Sequence, residues 1–489
     1  MDFKDSIVIL SRNKNFLEVL TQKANAWGIL VGKGGERALE AKILRISLVP
    51  RRFNRDLFER VVSLVHLFNV LIDRISMDVE WLVDAHSGMP HRLNFDELLG
   101  LSSSDTFIKE LVSLAERVYI TGGKPLDQDI RLHLLRNDFM STANEKRILQ
   151  VEINTISVGF AGIAERLSTL HKSNKHEFYP FFEGELPDNK PCSSYATAMA
   201  EAVSAHNSKF NRNASTVVFV VEDKERNFVD QFTLEYCLVA KYAIVVVRKT
   251  LSELSQDVHL DAEGFAFVDS QEVALVYYRS GYDPSQYSSE ADWLVRERIE
   301  KAKCVKVPTL LGQLAGTKKV QQLWFTNNGS VLKRFGMNES DIKSLSEVFA
   351  VQTDPSKDLK AREAAIHNPE SWILKPQREG GGHNLHGEDL KQTLSSQTPE
   401  MLSQYVLMEK MIPRPSPALV IDSQGTLESG CIAPLLLEEA VSELGIFSTY
   451  IPQLDKSAFC GHLVRTKDKC VAEGGVNVGF AYLDTISLV

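Results

Sequence analysis

The stretch WILKPQREGGGHNLHGEDL, residues 372–390, decides how this chain is read. Its opening apolar run, Trp372, Ile373 and Leu374, predicts a strand that leads through Lys375, Pro376, Gln377, Arg378 and Glu379 into a loop. Three consecutive glycines, Gly380, Gly381 and Gly382, make up that loop. With no Cβ in the way, their backbone N–H groups can come close to a ligand. A lysine on the preceding strand supplies a point charge for phosphate oxygens, and a carboxylate beside the loop can hold a cation. The loop is not a Walker A motif, because no Gly-Lys-Ser/Thr follows it. The pattern is that of a different nucleotide clamp, although ordinary hairpins are also built from glycines. The polar company of Lys375, Arg378, Glu379 and Asn384 favours the clamp. His383 and His386 are three apart and suggest a metal site, but no thiolate or third histidine stands near. Polar lining of a nucleotide pocket is the better reading of the pair.

The chain of 489 residues is 44% hydrophobic, which leaves room for about two to four domains with real cores. Its 55 basic and 64 acidic residues give a net charge of −9, which argues against a broad nucleic-acid-binding surface. The six cysteines, Cys192, Cys237, Cys304, Cys431, Cys460 and Cys470, are scattered and form no CxxC pair. Sparse thiols of this kind suit a reducing, cytoplasmic compartment. The amino-terminal MDFKDSIVIL lacks the basic region and long apolar core of a signal peptide, and no apolar run approaches membrane-spanning length.

The expected fold class is mixed α/β, with three parts at 1–213, 214–316 and 317–489. The first part reads as helix-rich: Leu57, Val61, Val62, Val65, Phe68, Leu71, Ile72 and Ile75 recur at helical spacing, and a second helix is expected from about 105 to 118. In the second part, STVVFVV, YAIVVVRK and EVALVYY are continuous β-branched runs, the pattern of strands buried on both faces. Between the first two lies VDQFTLEYCLVAKY, with Val229, Phe232, Tyr236 and Cys237 at helical spacing. This βαβ pattern predicts a small doubly wound parallel-sheet domain, whose ligands sit beyond the carboxyl ends of the strands. Glu225, Asn227, Arg279 and Tyr282 fall there. The third part mixes a helix at about 340–367, the glycine loop, short strands, and a glycine turn leading into a terminal strand.

In VEINTISVG, Glu152 and Asn154 are two apart on an expected strand, so their side chains share a face, with Val151, Ile153 and Thr155 opposite. A carboxylate and an amide oxygen are hard donors suited to Mg²⁺. The same pattern fits an edge strand with a solvated polar face. YVLMEKMI, 405–412, reads either as a strand whose backbone meets an adenine edge or as an ordinary core strand. Glu443 is a ribose partner or a surface charge, and Arg465 and Lys467 share one face of an extended strand before the Gly474–Gly475 turn. No GxSxG elbow or HExxH helix is present, so covalent or zinc hydrolysis is poorly supported.

RNDFM, VEINTIS, EDKERN, RSGYDPSQY, QLAGTKKVQQ, LKPQREGGG, LMEKM, SELGIF, HLVRTK and EGGV, in this order from 136 to 476, resemble eukaryotic-type glutathione synthetases, a family of ATP-grasp ligases. The resemblance implies an ATP-grasp body with a glycine-rich lid, at about 345–415, and an inserted substrate domain. It implies a homodimer that joins γ-glutamylcysteine to glycine with ATP through an acyl phosphate, and that binds neither nucleic acid nor membrane. Such chemistry depends on in-line placement and neutralised oxygens rather than on an enzyme nucleophile.

Carried over by position, Glu152, Asn154 and Glu379 match the family's magnesium ligands, for two ions bound with ATP. Nucleotide contacts fall on Glu152, Lys318, Lys375 to Asn384, His386, Met408, Glu409, Lys410, Met411, Glu443, Lys467 and Glu473. The dipeptide and acceptor sites fall on Arg136, Ile156, Ser157, Val158, Gly159, Glu225, Asn227, Gln231, Arg279, Ser280, Gly281, Tyr282, Val476 and Asn477. Arg465 matches the arginine that holds a substrate carboxylate. Arg136, Arg465, Lys375 and Gly381 are the expected catalytic set. The chain departs from the family pattern at His383, His386, Gly159, Glu473 and, most strongly, Asn477–Val478, where two alanines are usual. The last pair opens two further readings, a β-alanine or serine acceptor in place of glycine. His383, His386 and Gly159 would be the support for a non-catalytic homologue.

Overall fold

Alternation along a few long strands gives one sheet face an apolar half and a polar half, and the polar half becomes the floor of the site. The computed structural model describes residues 3–34, 40–87, 105–178, 184–324, 329–377, 383–426, 432–471, 474–477 and 479–489. In chain order, the elements that matter are strands β1 (His133–Ser141) and β2 (Ile148–Asn154), helix α1 (Ala161–Ser173), strand β3 (Thr216–Val220) and helix α2 (Phe228–Tyr242). Then come strands β4 (Gln271–Tyr278), β5 (Trp372–Pro376), β6 (Tyr405–Glu409), β7 (Ile432–Ile451) and β8 (Lys456–Asp468).

The main sheet has seven strands in the order 416–426, 46–47, 482–484, β8, β7, β1, β2. One edge of β7 serves two partners: residues 432–440 pair with the 416–426 strand, and residues 444–450 pair with β1. Its other edge runs along β8 from Ala440 opposite Asp468 to Ile451 opposite Lys456. The pairing of 416–426 with β7 closes five of the strands into a ring. Leu134, Phe447 and Leu463 face a core shared with α1 and the helix Pro191–Phe210. Their neighbours Leu135, Ile446 and Val464 face a second core, with the helices Val65–Ser76 and Thr106–Ala115. Further along the same strands, the first face turns polar at Arg136, Asp138, Glu443 and Arg465.

β2 ends the strand order and carries Glu152 and Asn154 on that face, while Ile153 is buried on the other. Its outer edge is served by neighbours. Gln150 donates its N–H to the Val348 carbonyl, and Ile153 donates to Gln321 Oε1 at 2.9 Å. Val151 falls at a register irregularity between the pairs Asp138–Glu152 and Phe139–Gln150, and its backbone carbonyl accepts from Lys375 at the cavity described below.

The second part folds as the sequence predicts. Strands Val245–Lys249, β3, β4 and Val305–Val307 are parallel in that spatial order. A hairpin of Ala266–Val268 with His259–Leu260 is added beside the start of β4. The chain order reverses between β3 and β4, and there the carboxyl ends deliver residues 222–227 and 279–282. Helix α2 forms, but its packed face is not the apolar set Val229, Phe232, Tyr236 and Cys237. Asp230, Gln231, Thr233, Leu234 and Leu238 are buried, whereas Phe232 and Tyr236 are 47% and 69% exposed. Leu234 and Leu238 give this face its apolar contact, and Asp230 and Gln231 turn inward with them to hold neighbouring loops.

The helix expected over 340–367 is two helices, Glu339–Ser346 and Leu359–His367, separated by the strand Gln352–Thr353 and Pro355. A proline in mid-helix lacks the N–H and clashes with the preceding turn. Strand Gln352–Thr353, β6 and β5 form a three-stranded antiparallel sheet with its own core of Ala365, Leu374, Leu390, Leu394, Leu402 and Leu407.

Buried histidines, His171 and His462 among them, make the fold acid-sensitive. His171 bonds Thr485 and the Ser47 carbonyl, whereas neither ring nitrogen of His462 has a partner among the described residues. Burial pushes their pKa values down from 6.5, to about 4 and about 3. Below pH 6.5 the unfolded chain takes up protons that the folded chain refuses, so their stability contribution falls as pH drops toward 4. Asp484 works in the opposite sense: burial raises its carboxyl from 3.8 to about 6, so it protonates first in the folded state. His462→Leu is expected to flatten the acid limb by up to about 1.4 kcal/mol per pH unit. Urea midpoints across that range check it, and an unchanged slope contradicts the assignment.

Candidate active site

A cavity of about 330 Å³ lies where the polar end of the main sheet, the carboxyl ends of β3 and β4, and the strand before the glycine loop converge. Register builds its floor. Arg136 stands opposite Asn154 and Asp138 opposite Glu152; Glu443 stands opposite Arg465, and Gly445 lies beside both Asp138 and Leu463. Arg136 donates to the Asp138 carboxylate at 2.8 and 3.0 Å, and Arg465 donates to it at 2.9 Å and also to Glu443. The amide nitrogen of Asn154 donates to Asp138 at 2.9 Å and to the Arg136 carbonyl at 3.2 Å. The carbonyl oxygen of Asn154 is therefore the atom left to accept.

Burial alone would raise the Glu152 carboxyl, but Lys318, Lys375, Arg465 and Arg136 hold it down at about 2. Lys318 Nζ lies 3.5 Å away, and Lys375 Nζ donates to the Val151 carbonyl at 3.2 Å. Burial lowers the Lys375 pKa, opposed by Glu152 and Glu443. Burial raises the Glu443 carboxyl, opposed by the Arg465 guanidinium. An ionised carboxylate, an amide oxygen and two ammonium groups thus share one wall. This is a donor set for a hard divalent cation and for phosphate oxygens together.

The other wall is the loop between β2 and α1. Ser157 and Phe160 take left-handed backbone conformations, φ 52° and 70°, at a cost of about 1–3 kcal/mol each. Asp230 on α2 holds this loop. One carboxylate oxygen accepts the Phe160 N–H at 2.7 Å, and the other accepts Gly162 and Ile163 at 2.7 and 3.1 Å, capping α1 from a neighbouring helix. A Cβ at Gly159 would lie 2.9 Å from a terminal nitrogen of Arg279 and 3.1 Å from the Asn227 amide. The guanidinium occupies the space that a side chain at 159 would need. Glu225 accepts the Asn227 N–H at 2.7 Å and Gln231 Nε2 at 2.8 Å, and Arg248 donates to Gln231 Oε1 at 2.6 Å. Gln286 accepts the N–H groups of Gly281, Tyr282 and Asp283 at 2.7, 2.9 and 3.1 Å, which fixes the loop after β4.

The cavity collects Arg136, Glu152, Asn154, Ile156, Ser157 and Gly159 from the first part of the chain, and Glu225, Asn227, Arg279 and Tyr282 from the second. From the third it takes Lys375, Asn384, Glu443, Arg465, Val476 and Asn477. Other expected residues lie outside the lining. Val158 belongs to the core, Gln231 is buried behind Glu225, and Ser280 and Gly281 shape the β4 loop. Lys318 stands behind Glu152, and Gln377 accepts the Lys319 N–H at 3.0 Å. Pro376 ends β5 and pairs with Tyr405, Met408 is buried in the small sheet, and Lys467 pairs with Val441. Glu409, Lys410 and Met411 line a second cavity of about 180 Å³ with Leu149 and Val351. The N–H groups of Glu409 and Lys410 are taken by the Val351 and Ser371 carbonyls, so these two do not face outward as the adenine reading assumed. His383 is exposed and His386 is the residue before the helix Gly387–Ser396. Among the described residues no cluster of three His, Cys, Asp or Glu side chains is placed to hold a metal. Arg378, Glu379, Gly380, Gly381, Gly382, Glu473 and Val478 lie outside the described residues.

Sequence reading missed Asp138, Asp230, Gly445 and Phe160. Asp138 carries a usable signal, since it lies two residues from Arg136 on one strand and so shares its face. Asp230 carries none, because its partners are some 70 residues away. Asp230→Ala is expected to strip three backbone N–H groups of their acceptor and destabilise the protein by about 1–3 kcal/mol. Loosening of the loop at Phe160 should weaken ligand binding at the Arg279 end more than nucleotide binding. Denaturant unfolding and paired binding measurements check this, and equal weakening of both ligands contradicts it.

A family model described as "Eukaryotic glutathione synthase, ATP binding domain" matches residues 11–488. The chloroplastic glutathione synthetase of Solanum lycopersicum is 32% identical over 495 residues, covering 98% of this chain and 85% of that protein. The glutathione synthetase of Homo sapiens is 32% identical over 500 residues, covering 97% and 98%. A glutathione synthetase like-effector from Globodera pallida, solved in its apo form, superposes with a TM-score of 0.72 at 20% identity, covering 97% of this chain and 96% of that one. At that identity the likeness shows a shared fold alone, whereas the family model and the curated relatives span nearly the whole chain. This chain belongs to the eukaryotic glutathione synthase family.

Proposed function

We propose that this chain is a glutathione synthetase, which ligates γ-glutamylcysteine to glycine with ATP. The observation that carries the reading is the single cavity in which Arg136, Glu152, Asn154, Lys375 and Arg465 meet Glu225, Asn227 and Arg279. Phosphate-facing and substrate-facing groups come from segments remote in sequence and converge on one space.

In this reading the dipeptide's cysteinyl carboxylate attacks the γ-phosphorus of ATP, forming an acyl phosphate as the bond to ADP breaks. Glycine's amine then attacks the acyl carbon and loses a proton, and phosphate departs with the bonding pair. Lys318 and Lys375 neutralise phosphate oxygens. Arg136 and Arg465, already held by Asp138, grip carboxylates without reorganising during the reaction. Arg279 answers the carboxylate of the γ-glutamyl end, and Glu225 its ammonium group. The 180 Å³ cavity beside Glu409, Lys410 and Met411 takes the purine. Glu152, kept ionised, and the free carbonyl oxygen of Asn154 fit Mg²⁺, with Glu379 as the third ligand carried over from the family. Bound there with ATP, magnesium would neutralise charge on the transferring phosphoryl group. The small sheet around β5 and β6, with the glycine loop, serves as the lid that keeps water from the acyl phosphate.

A homodimer is supported by the outer face of α2. Phe232, Tyr236 and Val239 are 47%, 69% and 51% exposed, and Val245 beside them 44%, an apolar patch that a second copy would cover. A reducing, cytoplasmic location is supported by the cysteines described, all of them free thiols.

One observation favours a second reading of the acceptor. Asn477 lines the cavity, and its side-chain oxygen is buried with no partner among the described residues. An acceptor with a side-chain hydroxyl, such as serine, would offer that oxygen a donor besides the reacting amine, which is the only donor that glycine has. Purified protein with γ-glutamylcysteine, ATP and Mg²⁺ should yield phosphate and tripeptide in equal amounts once an acceptor is added. Phosphate without tripeptide excludes ligation. Across glycine, serine and β-alanine, the highest kcat/KM identifies the acceptor, and a clear glycine optimum removes the second reading. Glu152→Gln should cut kcat by about 10²–10³ with little change in melting temperature. Full activity in that variant contradicts the cation role.

A further inference from the structure

We propose that Asp138, together with the absent side chain of Gly445, is a positioning unit of the active site, fixing both cavity arginines and the sense of the Asn154 amide. The proposal deepens the ligase reading and rests on it for the identity of the ligands. Asp138 is fully buried and touches no space that a ligand could enter. Its carboxylate takes hydrogen bonds from Arg136, Arg465 and Asn154, and all three donors line the cavity. The buried charge is satisfied entirely by groups that face the ligand on their other side.

Three geometric consequences follow from that placement. Two guanidiniums that would repel each other share one carboxylate and meet at its Oδ2, so their separation is set by that oxygen. Arg465 stands on β8 and Asp138 on β1, with β7 between them, so contact requires a gap in β7. Gly445 is that gap. A Cβ there would lie 2.7 Å from Asp138 Oδ1, 2.9 Å from Arg136 Cδ and 3.2 Å from Leu463 Cδ1. Last, the carboxylate can only accept, so Asn154 must point its NH₂ group at Asp138 and its oxygen at the cavity. An amide at position 138 could offer its own NH₂ to Asn154. That would leave only the Arg136 carbonyl, at 3.2 Å, to keep the Asn154 oxygen toward the cavity, against a competing donor that draws this oxygen away from a cation.

The experiment uses the full chain with Asp138→Asn and Gly445→Ala. Gly445→Ala alters no charge and stands on a different strand. The Mg²⁺ concentration for half-maximal binding of a non-hydrolysable ATP analogue is measured by calorimetry, alongside kcat, KM and thermal unfolding. Both variants should still melt cooperatively, need about 10–100-fold more Mg²⁺ and lose about 10²-fold in kcat. Asp484→Asn serves as the control for a general softening of the sheet, because Asp484 is fully buried beside Thr466 at 3.0 Å and does not line the cavity. It should shift the melting temperature alone. A folded Asp138→Asn or Gly445→Ala with wild-type Mg²⁺ requirement overturns the proposal, as does an equal shift in the control. Should Asp138→Asn not fold, Gly445→Ala decides. Wild-type protein that binds Mg²⁺ and nucleotide without making tripeptide overturns the ligase reading alone, and the titration still judges Asp138.

Discussion

The buried carboxylate of Asp138 is the constraint on which the site depends. A lone carboxylate removed from water is costly, and so are two adjacent guanidiniums; each is tolerable here because the other is present. Strand register makes the meeting possible. Arg136 and Asp138 are two residues apart on β1, Arg465 reaches them from β8, and Gly445 leaves the intervening strand β7 open between them. The same alternation that packs Leu134, Phe447 and Leu463 into a core presents a charged floor further along. Core and site are two ends of one surface.

Against that floor the second unit supplies what a main sheet of this kind cannot, a pair of loops at the carboxyl ends of neighbouring parallel strands. Asp230 and Gln286 show how those loops are held. Each is a side chain that collects three backbone N–H groups, and each relieves a turn that carries unusual backbone geometry, at Phe160 and at Gly281. Gly159 completes the pattern, because the Arg279 guanidinium fills the place its side chain would take.

Much of this was legible in the chain itself, for physical reasons that can be named. Continuous β-branched runs can be buried on both faces, so the parallel strands at 216–220, 245–249 and 271–278 could be read directly. Spacing of two placed Glu152 and Asn154 on one face of β2. What could not be read depends on tertiary contact. Asp230 caps a helix that begins 69 residues earlier, and α2 buries Asp230 and Gln231 beside Leu234 and Leu238 because those polar groups hold loops remote in sequence. The break at Pro355 was visible in the sequence, yet helical spacing on both sides masked it.

Strand β2 is open to solvent chemistry on one side only, and its outer margin is sealed by borrowed groups: the Gln321 side chain, the Val348 carbonyl and the Lys375 ammonium on the Val151 carbonyl. An unsealed margin of this kind invites pairing with a foreign chain. Lys375 belongs to the strand that carries the glycine loop, so one of these three contacts ties that strand to the margin of the main sheet, and the other two hold the margin independently of it.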